Sequence, residues 1–279
     1  VEAAWNRWHP RTRRIEAPVT FAAMSSVLVG PEQVTDQAEL LLAFDLPIAL
    51  MQDAEAVERV AADLVEDKAC DRVRYMEIRW APLLHTRKGL TGRQVIDAAW
   101  RGAHGAARRS GVDVRLIATL MRSHAPEANL DFVLDMAQEG IPDGLVAVDL
   151  AGPEERYPDP ERHRGAIDMA RDLGLHVTLH AGEWGGAGQV RRALGLEPER
   201  IAHGPLAIDD PDLVRDLIGA RPRGAPDRAA ARGSCAGGRA DHPRFKTHFH
   251  LTRPASSRRA GPSAATAHTA RPAAETPIN

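Results

Sequence analysis

The residues with the clearest chemical potential are a histidine and a glutamate at the end of an apolar run, in "LGLHVTLHAGEWGG" (173–186). His180 ends the run, and Glu183 follows three residues later, past a small "AG" pair. A zinc hydrolase needs imidazole and carboxylate ligands together with an acid–base group beside the metal-bound water. The same two residues are also compatible with a histidine that caps a strand and a glutamate in solvent.

Two further motifs place polar or small residues at the ends of apolar runs. His203 ends "RIAHG", and Asp149 and Gly152 end "VAVDLAG". A glycine at such a position allows a ligand to approach the main chain closely. Each motif alone is compatible with a structural role, but their joint occurrence after successive runs favours a functional site.

Helix-like and strand-like segments alternate through residues 31–219. Helical spacing occurs in 53–69, 91–110, 128–138, 160–174, 185–195 and 210–219, and extended patterns occur in 71–84, 112–121, 143–152, 175–183 and 199–204. This alternation is typical of βαβ units and a parallel sheet. We therefore predict an α/β fold.

The absence of nucleotide-binding motifs favours a barrel over an open dinucleotide-binding sheet. No GxGxxG follows the first strand, and the sequence has no P-loop motif. We predict a (β/α)8 TIM-barrel type that is incomplete, with about five or six βα units. Catalytic residues of such barrels lie at the carboxyl ends of the strands, where His180, Glu183, Gly152 and His203 fall.

Pattern and composition divide the chain into three parts. These are a segment 1–30 that matches the alternating pattern poorly, a partial barrel 31–219, and an Ala/Arg/Pro-rich tail 220–279. The tail has eleven Arg or Lys against three acids, a charge of +8, which leaves −10 for residues 1–219. Its large apolar residues are few and follow no period. Such a segment cannot bury enough apolar surface to offset its ordering entropy, so we predict a disordered tail.

Net charge, cysteine spacing and the lengths of the apolar runs indicate which compartment and which partners to expect. A net charge of −2 disfavours attraction of the whole chain to nucleic acid or to an anionic membrane. Cys70 and Cys235 form no CxxC pair, which suits a reducing compartment. No apolar run approaches the roughly 18 residues of a membrane span. We expect a cytoplasmic protein, and the sequence does not indicate its oligomeric state.

Four linked motifs resemble the adenosine deaminase family: "VRYMEIRWAPLLH", "LVAVDLAGPE", "HVTLHAGE" and "ERIAHG…IDDPDLVRDL", across about residues 35–219. The resemblance implies a (β/α)8 barrel with one Zn2+ ion that hydrolyses an adenine nucleoside to its inosine-type product and ammonia. Under it, His180 is a zinc ligand and Glu183 protonates the purine ring nitrogen. His203 orients the metal-bound hydroxide, and Gly152 contacts the purine through its main chain.

The chain departs from the family pattern at both ends. The family's first strand ends in His-x-His, whereas the matching region here offers only His9; the family's Asp-Asp pair is also missing, since Asp227 and Asp241 lack strand context. His248 and His250 form an HxH that is either a rearranged ligand pair or part of the tail. Only one of the four expected zinc ligands is recognisable in the sequence. The alternative is therefore a catalytically inactive purine-binding remnant of the same fold.

The abrupt change in composition suggests a frame disruption. Arg/Ala/Pro/Gly-rich sequence without periodicity is what a GC-rich gene gives when it is read in a wrong frame. We predict that another frame of the gene, downstream of about codon 219, encodes a strand that ends in Asp-Asp. Sequencing the gene checks this, and the absence of such a strand from every frame would contradict it; the same test applies to residues 1 to about 20.

Overall fold

A computed structural model describes residues 36–219 of the chain. The segment 1–30, the tail 220–279 and the candidate ligands His9, His248 and His250 lie outside the described residues. Among residues 36–219, no helix is both long and apolar enough to cross a membrane.

Five parallel strands form one sheet in which the strand order follows the chain order. They are β1 Tyr75–Trp80, β2 Asp113–Met121, β3 Leu145–Ala151, β4 His176–Ala181 and β5 Arg200–His203. Each strand is joined to the next by a connection that contains at least one helix, as in a (β/α) barrel. The prediction of an incomplete barrel of βα units is confirmed for the described residues.

Eight α-helices lie within the described residues: α1 Gln37–Leu41, α2 Asp45–Leu50, α3 Ala54–Cys70, α4 Gly92–Ser110, α5 Pro126–Glu139, α6 Arg164–Asp172, α7 Ala187–Leu194 and α8 Pro211–Gly219. The predicted helix 160–174 is divided, because a 3-10 turn at Pro160–His163 precedes α6. Helices α1 and α2 were not predicted. They leave Leu42 and Phe44, in the turn between them, more than half exposed.

Local sequence explains where helix α4 begins and ends. The Thr91 side chain accepts a hydrogen bond from the Gln94 N–H, and the Gln94 side chain accepts one from the Thr91 N–H, which makes a complete capping box. The helix ends at Ser110 and is capped by Gly111, whose φ of +74° lies in the left-handed region that favours glycine. Both ends of α4 are therefore fixed by residues adjacent to them.

The two faces of the sheet differ in chemistry because side chains alternate along a strand. One face packs its apolar side chains against the helices in the main core; these include Ile78, Leu116, Val148 and Leu179. The other face is polar and borders a cavity of about 410 Å³ whose lining includes Glu77, Arg79, Thr178 and Arg200.

An ion pair across the polar face joins the first strand to the last. Arg200 on β5 donates to Glu77 on β1, with 2.6 Å between Nη1 and Oε2. The Tyr75 hydroxyl donates to the other Glu77 oxygen at 2.8 Å. The sheet is thus curled enough to bring its two outer strands within reach of each other, as in part of a barrel wall.

The packing of α3 on α4 gives a stability prediction. A Cβ at Gly102 would lie 1.9 Å from the Glu58 carbonyl oxygen, whereas a Cβ at Gly105 would meet only the end of Arg109, at 3.6 Å. We expect Gly102→Ala to lower the free energy of unfolding by about 1–3 kcal/mol through overpacking. The matched Gly105→Ala should raise it by up to about 1 kcal/mol through helix propensity. Denaturant unfolding checks both, and equal effects would contradict the packing.

Candidate active site

The predicted site residues lie at the carboxyl edge of the sheet, where three neighbouring strands end. His180 is on β4, Glu183 follows β4, His203 ends β5, and Gly152 follows β3 directly. The rings of His180 and His203 are 4.9 Å apart between centroids, and Glu183 Oε2 is 3.8 Å from His203 Nε2. One carboxylate and two imidazoles are therefore brought together.

Gly152 packs against Arg122. Its φ is +133°, and a Cβ there would lie 3.3 Å from Cβ of Arg122, the residue that follows β2. The position therefore requires glycine on grounds of backbone conformation and close packing.

Asp149 lies behind His180 and faces its Nδ1. Its buried Oδ2 is 2.8 Å from His180 Nδ1 and accepts a hydrogen bond from the Thr119 hydroxyl at 3.2 Å, while Arg79 Nε lies 3.8 Å away. The His180–Asp149 contact has the distance of an ion pair but not the angles of a hydrogen bond, so His180 Nδ1 has no hydrogen-bond partner in the described structure. Because Nδ1 faces this carboxylate, Nε2 is the nitrogen left to face a ligand.

His203 occupies a strained backbone position. Its φ is +66°, in the left-handed region that a residue with a Cβ rarely adopts. Burial lowers the pKa of its imidazole below the usual value; Glu183 opposes this shift, while His180 and Arg79 reinforce it. A lowered pKa keeps His203 neutral near pH 7, as a hydrogen-bonding rather than a cationic group. Strain of this kind is concentrated at functional positions.

Glu154 is a site residue that the sequence analysis missed. Its carboxylate is almost fully buried and accepts hydrogen bonds from three successive N–H groups. Oε1 accepts from Glu183 at 3.3 Å, and Oε2 accepts from Trp184 at 3.4 Å and from Gly185 at 2.8 Å. These bonds hold the turn that carries Glu183. Its position within "LVAVDLAGPE", two residues after Gly152, was the available signal.

The glycines of this turn are required by close packing. A Cβ at Gly182 would lie 2.4 Å from Val190, and one at Gly185 would lie 2.3 Å from Gln189 and 3.1 Å from the Glu154 carboxylate. Neither position can therefore take a larger residue without displacing a packed side chain.

Arg122 holds the strand end from the opposite side, and it was also missed. The side chain is 1% exposed, and its guanidinium donates to the His180 carbonyl oxygen at 2.8 Å and to the Tyr157 carbonyl oxygen at 3.2 Å. Burial lowers its pKa, although Glu154 and Asp149 oppose the shift. A charged residue at the end of the apolar run "VDVRLIATLM" was the signal for it.

The metal-binding capacity of the described residues is incomplete. Within 36–219, no three His, Cys, Asp or Glu side chains are grouped so that they could hold a metal ion. His180 with Asp149 behind it matches one ligand and its outer-shell partner. A tetrahedral zinc site needs several such donors, so these residues alone do not fit a zinc ion.

The described residues form an incomplete (β/α) barrel whose carboxyl edge carries one carboxylate and two imidazoles. The chain belongs to the adenosine deaminase family, because the family model of that description matches residues 11–221. This agrees with the resemblance carried by the four motifs.

Similar proteins support the assignment. The adenosine deaminase of Clostridium perfringens is 38% identical over 195 residues, which cover 68% of this chain and 57% of that protein. An amidohydrolase from Burkholderia ambifaria, solved with bound zinc, is 27% identical with a TM-score of 0.64, over 73% of this chain and 56% of that one. Arabidopsis ADAL complexed with IMP is 26% identical with a TM-score of 0.59, over 71% and 59%. The chain spans less than two thirds of each.

The hydrogen bonds to Glu154 lead to a prediction with an adjacent control. Glu154→Gln keeps the shape of the side chain but turns an amide NH2 towards at least one N–H of the turn. We expect the free energy of unfolding to fall by about 1–3 kcal/mol, the cost of an unsatisfied buried donor. Faster hydrogen exchange at the amides of 183–185 should accompany the loss.

Glu155→Gln is the control for this prediction, since it makes the same charge change at the next residue, which is exposed. We expect no measurable effect on unfolding or on exchange in the turn. Equal behaviour of the two variants would contradict the role assigned to the Glu154 carboxylate.

Proposed function

We propose that the chain is a hydrolytic deaminase of an adenine nucleoside or a closely related nucleotide, giving an inosine-type product and ammonia. The observation that carries the proposal is the meeting of the Glu183 carboxylate with the imidazoles of His180 and His203 at the carboxyl edge. Family membership supports the reaction class. The IMP bound in the Arabidopsis relative supports a purine ligand.

Each residue has a role in this proposal. Glu183 gives a proton to the purine ring nitrogen while the oxygen of water forms a bond to the amino-bearing carbon. This prevents negative charge from accumulating on the ring. The His203 imidazole accepts one proton of that water and delivers it to the amino nitrogen as the bond between carbon and nitrogen breaks, so that ammonia leaves. The remaining hydroxyl proton returns to the Glu183 carboxylate as the keto base forms. His203 orients the attacking water, and the main chain at Gly152 contacts the purine.

His180 is proposed as one ligand of a zinc ion. The 2.8 Å approach of Asp149 to Nδ1 supports this, because metal-bound histidines commonly face a carboxylate through their other nitrogen. The remaining ligands would have to come from outside residues 36–219, because no three donors converge within them.

The second candidate is a purine-binding protein of the same fold without catalytic activity. The incomplete donor set of residues 36–219 favours it. It keeps Gly152 and Glu183 as purine contacts and needs no metal. Adenosine binding measured by calorimetry in the presence of a chelator, together with the absence of turnover when zinc is supplied, would favour this candidate over the deaminase.

Turnover by variants tests the deaminase. We expect the full chain supplied with zinc to convert adenosine or AMP with a change in ultraviolet absorbance. Glu183→Gln should lower kcat by about 100-fold or more, since general acid catalysis contributes about 10²–10⁴-fold. His180→Gln should lower the bound zinc measured by elemental analysis. Glu155→Gln is the control and should change neither quantity. A kcat of Glu183→Gln equal to that of the wild type would contradict the assignment of Glu183 as the acid.

A further inference from the structure

Gln37, at the start of α1, is a buried residue whose side chain contacts the proposed acid. It is 5% exposed, and its Nε2 donates to Glu183 Oε2 at 2.7 Å. Its Oε1 accepts a hydrogen bond from the main-chain N–H of Glu154 at 2.9 Å. Neither motif spacing nor the resemblance assigned this residue a role.

The orientation of the Gln37 carboxamide is determined by Glu154. A main-chain N–H can only donate, so the carboxamide oxygen must face Glu154, and the NH2 group must face Glu183. The Glu154 carboxylate in turn accepts from the Glu183 N–H at 3.3 Å. The three residues therefore form a closed ring of hydrogen bonds that holds Glu183 by both its main chain and its carboxylate.

This ring distinguishes the two oxygens of the Glu183 carboxyl group. Oε2 accepts the short hydrogen bond from Gln37, and the nearest nitrogen of His203 is 3.8 Å from the same oxygen, too far for a hydrogen bond. A neutral carboxyl group carries its single proton on one oxygen. The oxygen that already accepts the Gln37 donor is the less favourable position for that proton.

We propose that Gln37 is a positioning residue for Glu183. It holds Oε2 as an acceptor and leaves Oε1 as the oxygen that carries the proton towards the purine ring nitrogen. The inference rests on the proposed deamination and assigns the proton transfer to one atom. It also gives the segment that begins at Gln37 a direct contact with the reacting group.

Glutamine suits position 37 better than amino acids of similar size or chemistry do. Glutamate at position 37 would place a second carboxylate beside Glu183, and asparagine is shorter by one methylene group. Methionine has a similar length and shape but cannot form either hydrogen bond. Gln37→Met is therefore the most informative substitution.

A first experiment tests the contact without any need for turnover. In the 15N-labelled full chain, the Gln37 carboxamide signal is assigned by its loss in Gln37→Met. We expect this signal to be shifted and slow to exchange, and to move when Glu183→Gln is introduced. The Gln52 carboxamide donates to the carbonyl oxygens of Ile48 and Leu84 and is the internal control. A Gln37 signal that exchanges like an exposed amide, or does not respond to Glu183→Gln, would overturn the proposal.

A second experiment tests the consequence for the reaction. We expect Gln37→Met to lower kcat by about 10-fold or more and to change KM by less than about 3-fold, since misplacing an acid affects the chemical step more than binding. Gln52→Met removes hydrogen bonds from a buried glutamine outside the site and should lower thermal stability without this effect on kcat. Thermal unfolding of both variants separates a loss of folding from a loss of positioning.

The two proposals fail in different ways. If the wild type turns over its substrate and Gln37→Met has the same kcat, the inference about Gln37 is wrong and the proposed function stands. If the wild type has no turnover with zinc supplied, the proposed function is wrong, and the role of Gln37 in positioning a proton donor is wrong with it, even if the NMR contact is observed.

Discussion

The candidate site depends on a buried carboxylate that accepts hydrogen bonds from three successive main-chain N–H groups. Glu154 comes from the connection after β3, and the N–H groups belong to the turn after β4, at residues 183–185. A buried negative charge is costly unless it is satisfied by donors, so the turn and the carboxylate stabilise each other. Arg122 holds the His180 carbonyl oxygen on the other side of the turn. Two buried groups of opposite charge therefore determine where Glu183 and His180 lie, and neither of them is one of the groups proposed to react.

The sheet supplies the second constraint. Parallel strands in chain order place the carboxyl ends of β3, β4 and β5 side by side, so residues more than fifty positions apart in sequence meet at one edge. One face of the sheet packs against the helices as an apolar core. The other carries ion pairs such as Glu77 with Arg200, which joins its first and last strands. The polar chemistry on that face extends to the site through Asp149, which contacts His180.

Much of this could be predicted from sequence because the relevant signals are local. The apolar runs give the five strands, and His180, Glu183 and His203 were predicted as site residues because each ends or follows such a run. Gln37 could not be found, since it precedes the first segment with clear periodicity, 53–69, and acts through a contact with a residue 146 positions away. Glu154 was overlooked because an acidic residue in a loop is usually solvated, and only the folded turn shows its burial. The left-handed backbone of His203 likewise has no signature in residue type.

The central claim is that a purine binds at the carboxyl edge of this sheet, against Gly152 and the turn that carries Glu183. Hydrogen–deuterium exchange of the full chain, with and without adenosine in the presence of a chelator, tests this most directly because it requires no turnover. We predict that the ligand slows exchange in 152–154, 180–185 and 203–204 and leaves the outer surface of α4 unchanged. Saturating adenosine that protects none of these segments, or that protects only the outer helices, would contradict the claim.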